Sequence, residues 1–273
     1  MEPRTDDDIA EQYRVEVDLS NRLKRAPAAE RARLYTEVYE ELFRSVPNHP
    51  QLARKSAGST ENVSWQLGLL SRYLDRDTCL LEIGAGDLSF SVAVAPRTKK
   101  VVAVDVSAII SERDDLPPNV ERRICDGMSL PVEAGTVDVA YSNQLIEHLH
   151  PDDAQEHVDN VFKALRPNGI YVCVTPNRLG GPWDISGNFV RVAAGLHIRE
   201  YTGAELVSLF HNAGFAKFRF HVGASGRYFA LPLALVNVLE SLLSRIPYAV
   251  ARPLCRSPLR GLLGVKLAAR KSV

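Results

Sequence analysis

The sequence has little from which to build a disulfide framework. Its four cysteines, Cys79, Cys125, Cys173 and Cys255, stand far apart with no CxxC spacing, and three lie in apolar strand-like runs. That pattern suits buried thiols in a reducing compartment. Net charge is also missing, since 33 Lys and Arg offset 33 Asp and Glu. The basic footprint that non-specific nucleic-acid binding requires is therefore absent, and no nucleic-acid partner is expected. No apolar run reaches the roughly 18 residues of a membrane-spanning helix, and there is no internal repeat or low-complexity tract. The opening MEPRTDDDIAEQYRVEVDLS is acidic and polar, without the basic and apolar regions of a secretory signal. These absences predict a cytoplasmic globular protein. With 273 residues and 45% hydrophobic content, it can bury a large core without disulfide or metal.

Alternation dominates what is present. Residues 1–60 read as a helical cap, in which AERARLYTEVYEELFRSV places Leu34, Val38, Leu42 and Val46 on one stripe before PNHP ends the helix. A further helix, NVSWQLGLLSRYL, leads into the apolar runs TCLLEIG, KKVVAVDVS, VERRICDG, VDVAYSN and GIYVCVTPN. Helix- or loop-length segments separate these runs, which predicts an α/β fold: a doubly wound, mostly parallel sheet over 61–222. DDAQEHVDNVFKAL is its clearest crossover helix, and TGAELVSLFHNAGF opens on a Thr cap with Glu205 three residues on. Residues 223–273 read as a basic, apolar, helical extension.

The stretch CLLEIGAGDLSF carries the first strand into a loop where Gly84 and Gly86 let the backbone approach a ligand. Asp105, at the end of VVAVD, lies nineteen positions after Gly86, where a carboxylate accepts hydrogen bonds from the two hydroxyls of a ribose. A dinucleotide fingerprint wants a third glycine where this chain has DLS. Glu82 and Asp87 beside the glycines would repel a diphosphate but suit a ligand bearing an ammonium and a sulfonium. S-adenosylmethionine is such a ligand.

Together, LEIGAG, VVAVDVS, ICDGMSLPVEAGTVDVAYSNQLIEHL and ALRPNGIYVCVTPN resemble the class I S-adenosylmethionine-dependent methyltransferases, of the branch often called type 11, over residues 60 to 222. The resemblance implies that Glu82 and the Gly84–Gly86 loop line the methionine end and that Asp105 binds the ribose. It further implies that Asp126 accepts the adenine amino group with Gly127 and Met128 beside the ring, and that Asn143 helps to hold the methionine. Leu88 stands where the family commonly has a glycine or another small residue.

Methyl transfer from a sulfonium needs positioning and desolvation of the acceptor, and a base only for a poor nucleophile. His148 in NQLIEHLHPDD is the expected base for a hydroxyl. QLIEH also resembles the ExxEH element of metal-assisted O-methyltransferases. That likeness makes Glu147, His148 and His197 candidate ligands of a divalent cation such as Mg2+, with Gln144 replacing the element's first acid. The competing reading has Glu147 and His148 simply opening a helix. His150, His157 and His211 read as solvent-facing. PNRLGGPWDISGNFVRVAAGLH, with Trp183 and Phe189, reads as part of a lid over the acceptor, together with the N-terminal helices and VPNHPQL. The tail, with eight Lys or Arg after Gly226 against Glu240 alone, suits either packing on the core or a second subunit, or peripheral contact with an anionic membrane through 226–273. The expected activity is O-methylation of a small or lipid-linked acceptor such as a sugar, a glycan or a quinone-like phenol. The alternatives are N- or C-methylation of a small metabolite and a non-catalytic cofactor-binding scaffold at a membrane.

Overall fold

The computed structural model describes residues 4–57, 63–224, 226–257 and 264–272. Residues 58–60 of the expected cap, Asn62 at the start of the next expected helix, and Arg260 of the tail lie outside the described residues. The strands β1 (Cys79–Ile83), β2 (Lys100–Asp105), β3 (Val120–Ile124), β4 (Val137–Asn143), β5 (Leu165–Thr175), β6 (Phe215–Ala224), β7 (Arg227–Leu231) and β8 (Val265–Lys271) form one sheet in the order β3-β2-β1-β4-β5-β8-β6-β7. The first five run parallel, and β8 lies antiparallel between β5 and β6. The helices are α1 (Asp6–Arg25), α2 (Ala28–Ser45), α3 (Pro50–Ala57), α4 (Ser64–Leu70), α5 (Ser89–Val94), α6 (Ala108–Ser111), α7 (Pro151–Ala164), α8 (Gly203–Asn212), α9 (Leu233–Ser244) and α10 (Tyr248–Arg256).

Alternate residues of each central strand enter different cores, as the two-residue period of a strand requires. Leu81 and Ile83 pack with α1, α2, α7 and α8, whereas Leu80 packs with α4 and α5. Strand order reverses between β1 and β4, so the loops leaving them part and open a crevice above the sheet. Every residue expected to bind cofactor lies in a loop or strand end at this level or in the neighbouring loop after β3.

Two features depart from the sequence reading. Among the described residues the segment 223–273 is helical in α9 and α10 alone, because β7 and β8 are sheet strands, with Val265, Leu267 and Ala269 of β8 buried between β5 and β6. The sheet therefore continues well past residue 222. His157 does not face solvent: it is 1% exposed, on the buried stripe of α7 with Ala154, Val158 and Val161, near the Tyr171 hydroxyl. His150 is partly buried and caps α7, while His211 is exposed as expected. The cap is anchored. Arg31 of α2 donates from Nε to Asp153 Oδ2 at 2.7 Å, and the Tyr35 hydroxyl donates to the same oxygen at 2.8 Å. No helix among the described residues is long and apolar enough to cross a membrane.

Candidate active site

A cavity of about 810 Å³ opens over the carboxyl ends of the strands. Glu82, Gly84, Gly86, Asp105, Gly127 and Asn143 line it, together with Tyr39 and Phe43 of α2, His148, Asn177, Trp183 and Lys266. The expected cofactor residues other than Asp126 and Met128 therefore share one space with His148.

The glycine loop is bound to Asp105. Gly86 N–H donates to Asp105 Oδ2 at 2.7 Å, and Ser107 N–H donates to Oδ1 at 2.9 Å. Each carboxylate oxygen keeps a lone pair for a further donor. Gly84 and Gly86 adopt φ of +70° and +55°, the left-handed region that glycine enters without a Cβ penalty. Leu88 is left-handed too, at φ +63°, with its side chain fully buried against Ala85 and Ala103. Its backbone thus does what a glycine would do there, held by packing. Burial raises Glu82 to about 8, opposed by a hydrogen bond from the Ser91 hydroxyl, and burial raises Asp105 to about 6.

The loop after β3 is less open. Asp126 accepts from Met128 N, Ser129 N and Ser129 Oγ at 2.6–2.9 Å, closing a turn on itself. Burial would raise its carboxyl, but these hydrogen bonds outweigh it and hold the group below its ordinary range. Gly127 and Cys125 line the cavity. Met128 instead joins the core. Of this stretch the structure brings Gly127 alone, among the residues expected to touch adenine, to the cavity wall; Tyr35 packs closely on it.

Beyond β4 the chain turns through Gln144, at φ +58°, into the short turn Ile146–His148. One ligand-type atom from each of Glu147, His148 and His197 lies within 4.8 Å of the others, although His197 comes from a distant segment. Each side chain is fixed from behind. His148 Nδ1 donates to Leu196 O at 2.9 Å, and His197 Nδ1 pairs with Glu200 Oε1 at 2.8 Å. Thr175 Oγ1 donates to Glu147 Oε2 at 2.9 Å. Both histidines thereby present Nε2 lone pairs, and Glu147 Oε1 is buried with no hydrogen-bond partner among the described residues. Burial and the neighbouring His197 hold His148 down to about 3. Burial raises Glu147 to about 7. His197 is lowered by burial but raised more by Glu200 and Glu147, and stands above its ordinary value.

This donor set fits a divalent cation. A metal-ligating imidazole usually has its second nitrogen bonded to a carbonyl or carboxylate, as both have here; His148 is already held neutral, whereas His197, raised above its ordinary value, would give up a proton to bind an ion. At metal–ligand distances of roughly 2.1 Å neighbouring ligands of an octahedral ion stand about 3 Å apart, so a trio spread over as much as 4.8 Å would have to draw together, and two imidazoles suit Mn2+, Fe2+ or Zn2+ better than the expected Mg2+. Sequence reasoning missed Glu200 and Thr175, which position the set, and Trp65, Gln66 and Lys266 along the wall. Of the lid aromatics, Trp183 lines the cavity, whereas Phe189 stacks on Tyr13 at 4.2 Å and is 45% exposed.

Residues 60–218 match the methyltransferase-domain family. The chain belongs to this family. Its sheet, with flanking helices and an antiparallel strand between β5 and β6, is the class I S-adenosylmethionine-dependent methyltransferase fold. A Mycolicibacterium smegmatis protein named a probable S-adenosylmethionine-dependent methyltransferase is 32% identical over 148 residues, 54% of each chain. Phosphoethanolamine N-methyltransferase 1 of Triticum aestivum is 26% identical over 110 residues, 38% of this chain and 22% of its own. Phosphoethanolamine N-methyltransferase 2 of Haemonchus contortus, solved with phosphomonomethylethanolamine and S-adenosylhomocysteine, superposes with a TM-score of 0.57 at 15% identity, covering 87% of this chain and 60% of its own. The chain spans about half the length, or less, of the curated relatives it matches.

Proposed function

We propose that this methyltransferase-family protein binds S-adenosylmethionine between Glu82, the Gly84–Gly86 loop and Asp105, and methylates a hydroxyl of a small or lipid-linked acceptor. A single observation carries the hydroxyl assignment. One donor atom from each of Glu147, His148 and His197 lies within 4.8 Å of the others with their other polar atoms already occupied, and His148 of the three lines the cavity. Bound there, a divalent cation would lower the pKa of an acceptor hydroxyl. His148, held to about 3, is a weak proton acceptor at neutral pH but a good neutral ligand. Glu147, raised to about 7 but fully buried and absent from the cavity wall, would serve as a ligand rather than as a base in contact with the acceptor. The cap, with Tyr39 and Phe43, supplies the apolar cover that excludes water.

A second reading, transfer to an amine, is favoured by the likeness to the wheat phosphoethanolamine N-methyltransferase. An amine is nucleophilic without a base or a metal, so the two readings diverge on the trio. Incubation with methyl-labelled S-adenosylmethionine and panels of phenols, glycans and amines, with and without chelator, separates them. The hydroxyl reading expects label on phenols or glycans and its loss with chelator or His148→Ala. Label on amines alone, unaffected by either treatment, supports the second reading, and no label on any panel would count against both.

A further inference from the structure

Helix α9 is apolar on both sides. Leu233, Val236 and Leu243 face the core, while Leu235, Val238, Leu239 and Leu242, at helical spacing, form a second stripe that is 38–55% exposed. A helix apolar all round is normally covered on both faces. Val250 of α10 is 57% exposed, and Val190 and Val192 are exposed on the segment that brings Arg191 over the Tyr248 ring. The exposed aliphatic residues are thus concentrated around two neighbouring stretches of the surface.

Charge selects the occupant. Arg245, at the end of α9, is exposed. Arg191, also exposed, lies 5.7 Å from the Tyr248 ring, whereas Arg252, 5.8 Å from the same ring, is half-buried and donates to Gly187 O. The acid of α9, Glu240, points inward, accepting from Asn177 Nδ2 and Gly203 N at 2.7 Å. An aliphatic stripe bordered by arginines and free of outward carboxylates is the composition of a peripheral bilayer-binding surface. The exposed Phe189 and Phe229 are compatible with it, since interfacial faces carry Phe beside Leu. We infer that the outer face of α9, with the exposed part of α10, docks on an anionic lipid bilayer. The two helices also serve the acceptor end of the cavity, for α10 contributes Cys255 to its wall and α9 holds Asn177 through Glu240. Docking would set that end toward the lipid surface, although the docking itself does not depend on the identity of the acceptor.

Co-sedimentation of the full chain with phosphatidylcholine vesicles, with and without phosphatidylglycerol, tests the inference. Binding is expected to be at least about tenfold tighter to the anionic vesicles, to weaken at high salt, and to fall about tenfold or more in L239E/L242E. Arg245→Glu, which leaves the apolar stripe intact, is expected to weaken binding to anionic vesicles alone. Melting temperature and S-adenosylhomocysteine affinity, unchanged in both variants, would show that the fold persists. Equal binding to both vesicle types, no binding, or a solution dimer broken by L239E/L242E without vesicle affinity would overturn the bilayer assignment.

Discussion

His197 Nδ1 sits 2.8 Å from Glu200 Oε1, and this contact turns the opposite nitrogen of the ring toward Glu147 and His148. A carboxylate behind an imidazole fixes its tautomer and raises its basicity as a ligand. Glu200→Gln is therefore expected to weaken Mn2+ binding by roughly 10–100-fold, and His148→Ala or His197→Ala to abolish it. Titration calorimetry with Mn2+ reads this directly. S-adenosylhomocysteine affinity should not change. Wild-type protein that takes up no Mn2+ would remove the metal from the account.

The acidic groups give a pH signature. Glu82, at about 8, holds a proton in the folded protein that it has lost when unfolded, across the window from 4.5 to 8. Its contribution to stability therefore falls as pH rises through that window. Glu147, at about 7, and His197, raised above 6.5, act in the same direction. The buried His148, His49, His157 and His221, lowered to between about 3 and 4, oppose this trend, but only below 6.5. Melting temperature should therefore decline from pH 6.5 to 8. A ligand ammonium near Glu82 favours the carboxylate, so S-adenosylhomocysteine should release a proton on binding and flatten the slope. A melting temperature that rises over this interval would contradict the placement of these groups.

Leu88 sets two effects against each other. Its left-handed backbone costs about 1–2 kcal/mol, which glycine would recover. Losing a fully buried leucine side chain costs about 2–5 kcal/mol. Burial wins, so Leu88→Gly should destabilise the protein by roughly 1–3 kcal/mol in denaturant unfolding. A more stable variant would mean that relief of backbone strain outweighs the lost packing.

Asp153 joins Arg31 and Tyr35 of the cap to the start of α7. Both members of the ion pair are under a tenth exposed, and Asp153→Ala leaves Arg31 only Asp152 at 3.8 Å and the Ala26 carbonyl, at a cost of up to about 3 kcal/mol. A lowered melting temperature, with weaker S-adenosylhomocysteine binding because Tyr35 packs on Gly127, is the expected result. An unchanged melting temperature would mean that the cap is held by its apolar face alone.

Much of this architecture was legible locally. A strand ending in an acid marks itself, so Glu82 and Asp105 followed from residue type and spacing, and the Thr202–Glu205 capping box formed as written. His157 was legible too: Ala154, His157, Val158 and Val161 follow the helical period, but a polar residue on the stripe was read outward. β8 escaped because VKLAARK is short, carries charges at both ends and follows a helix-like run of leucines. Its strand character comes from the neighbours between which it inserts. Glu200 and Thr175 escaped for a similar reason. Each acts on a residue brought near by folding, so no spacing in the chain records the contact.

The central claim is a nucleoside cofactor site in which Asp105 holds the glycine loop and offers its remaining lone pairs to a ribose. Calorimetric titration with S-adenosylhomocysteine, of the wild type and of Asp105→Ala with an unchanged far-ultraviolet spectrum, tests it most directly. The account predicts one-to-one binding that is lost in the variant. No binding by the wild type, or equal binding by both, would contradict it.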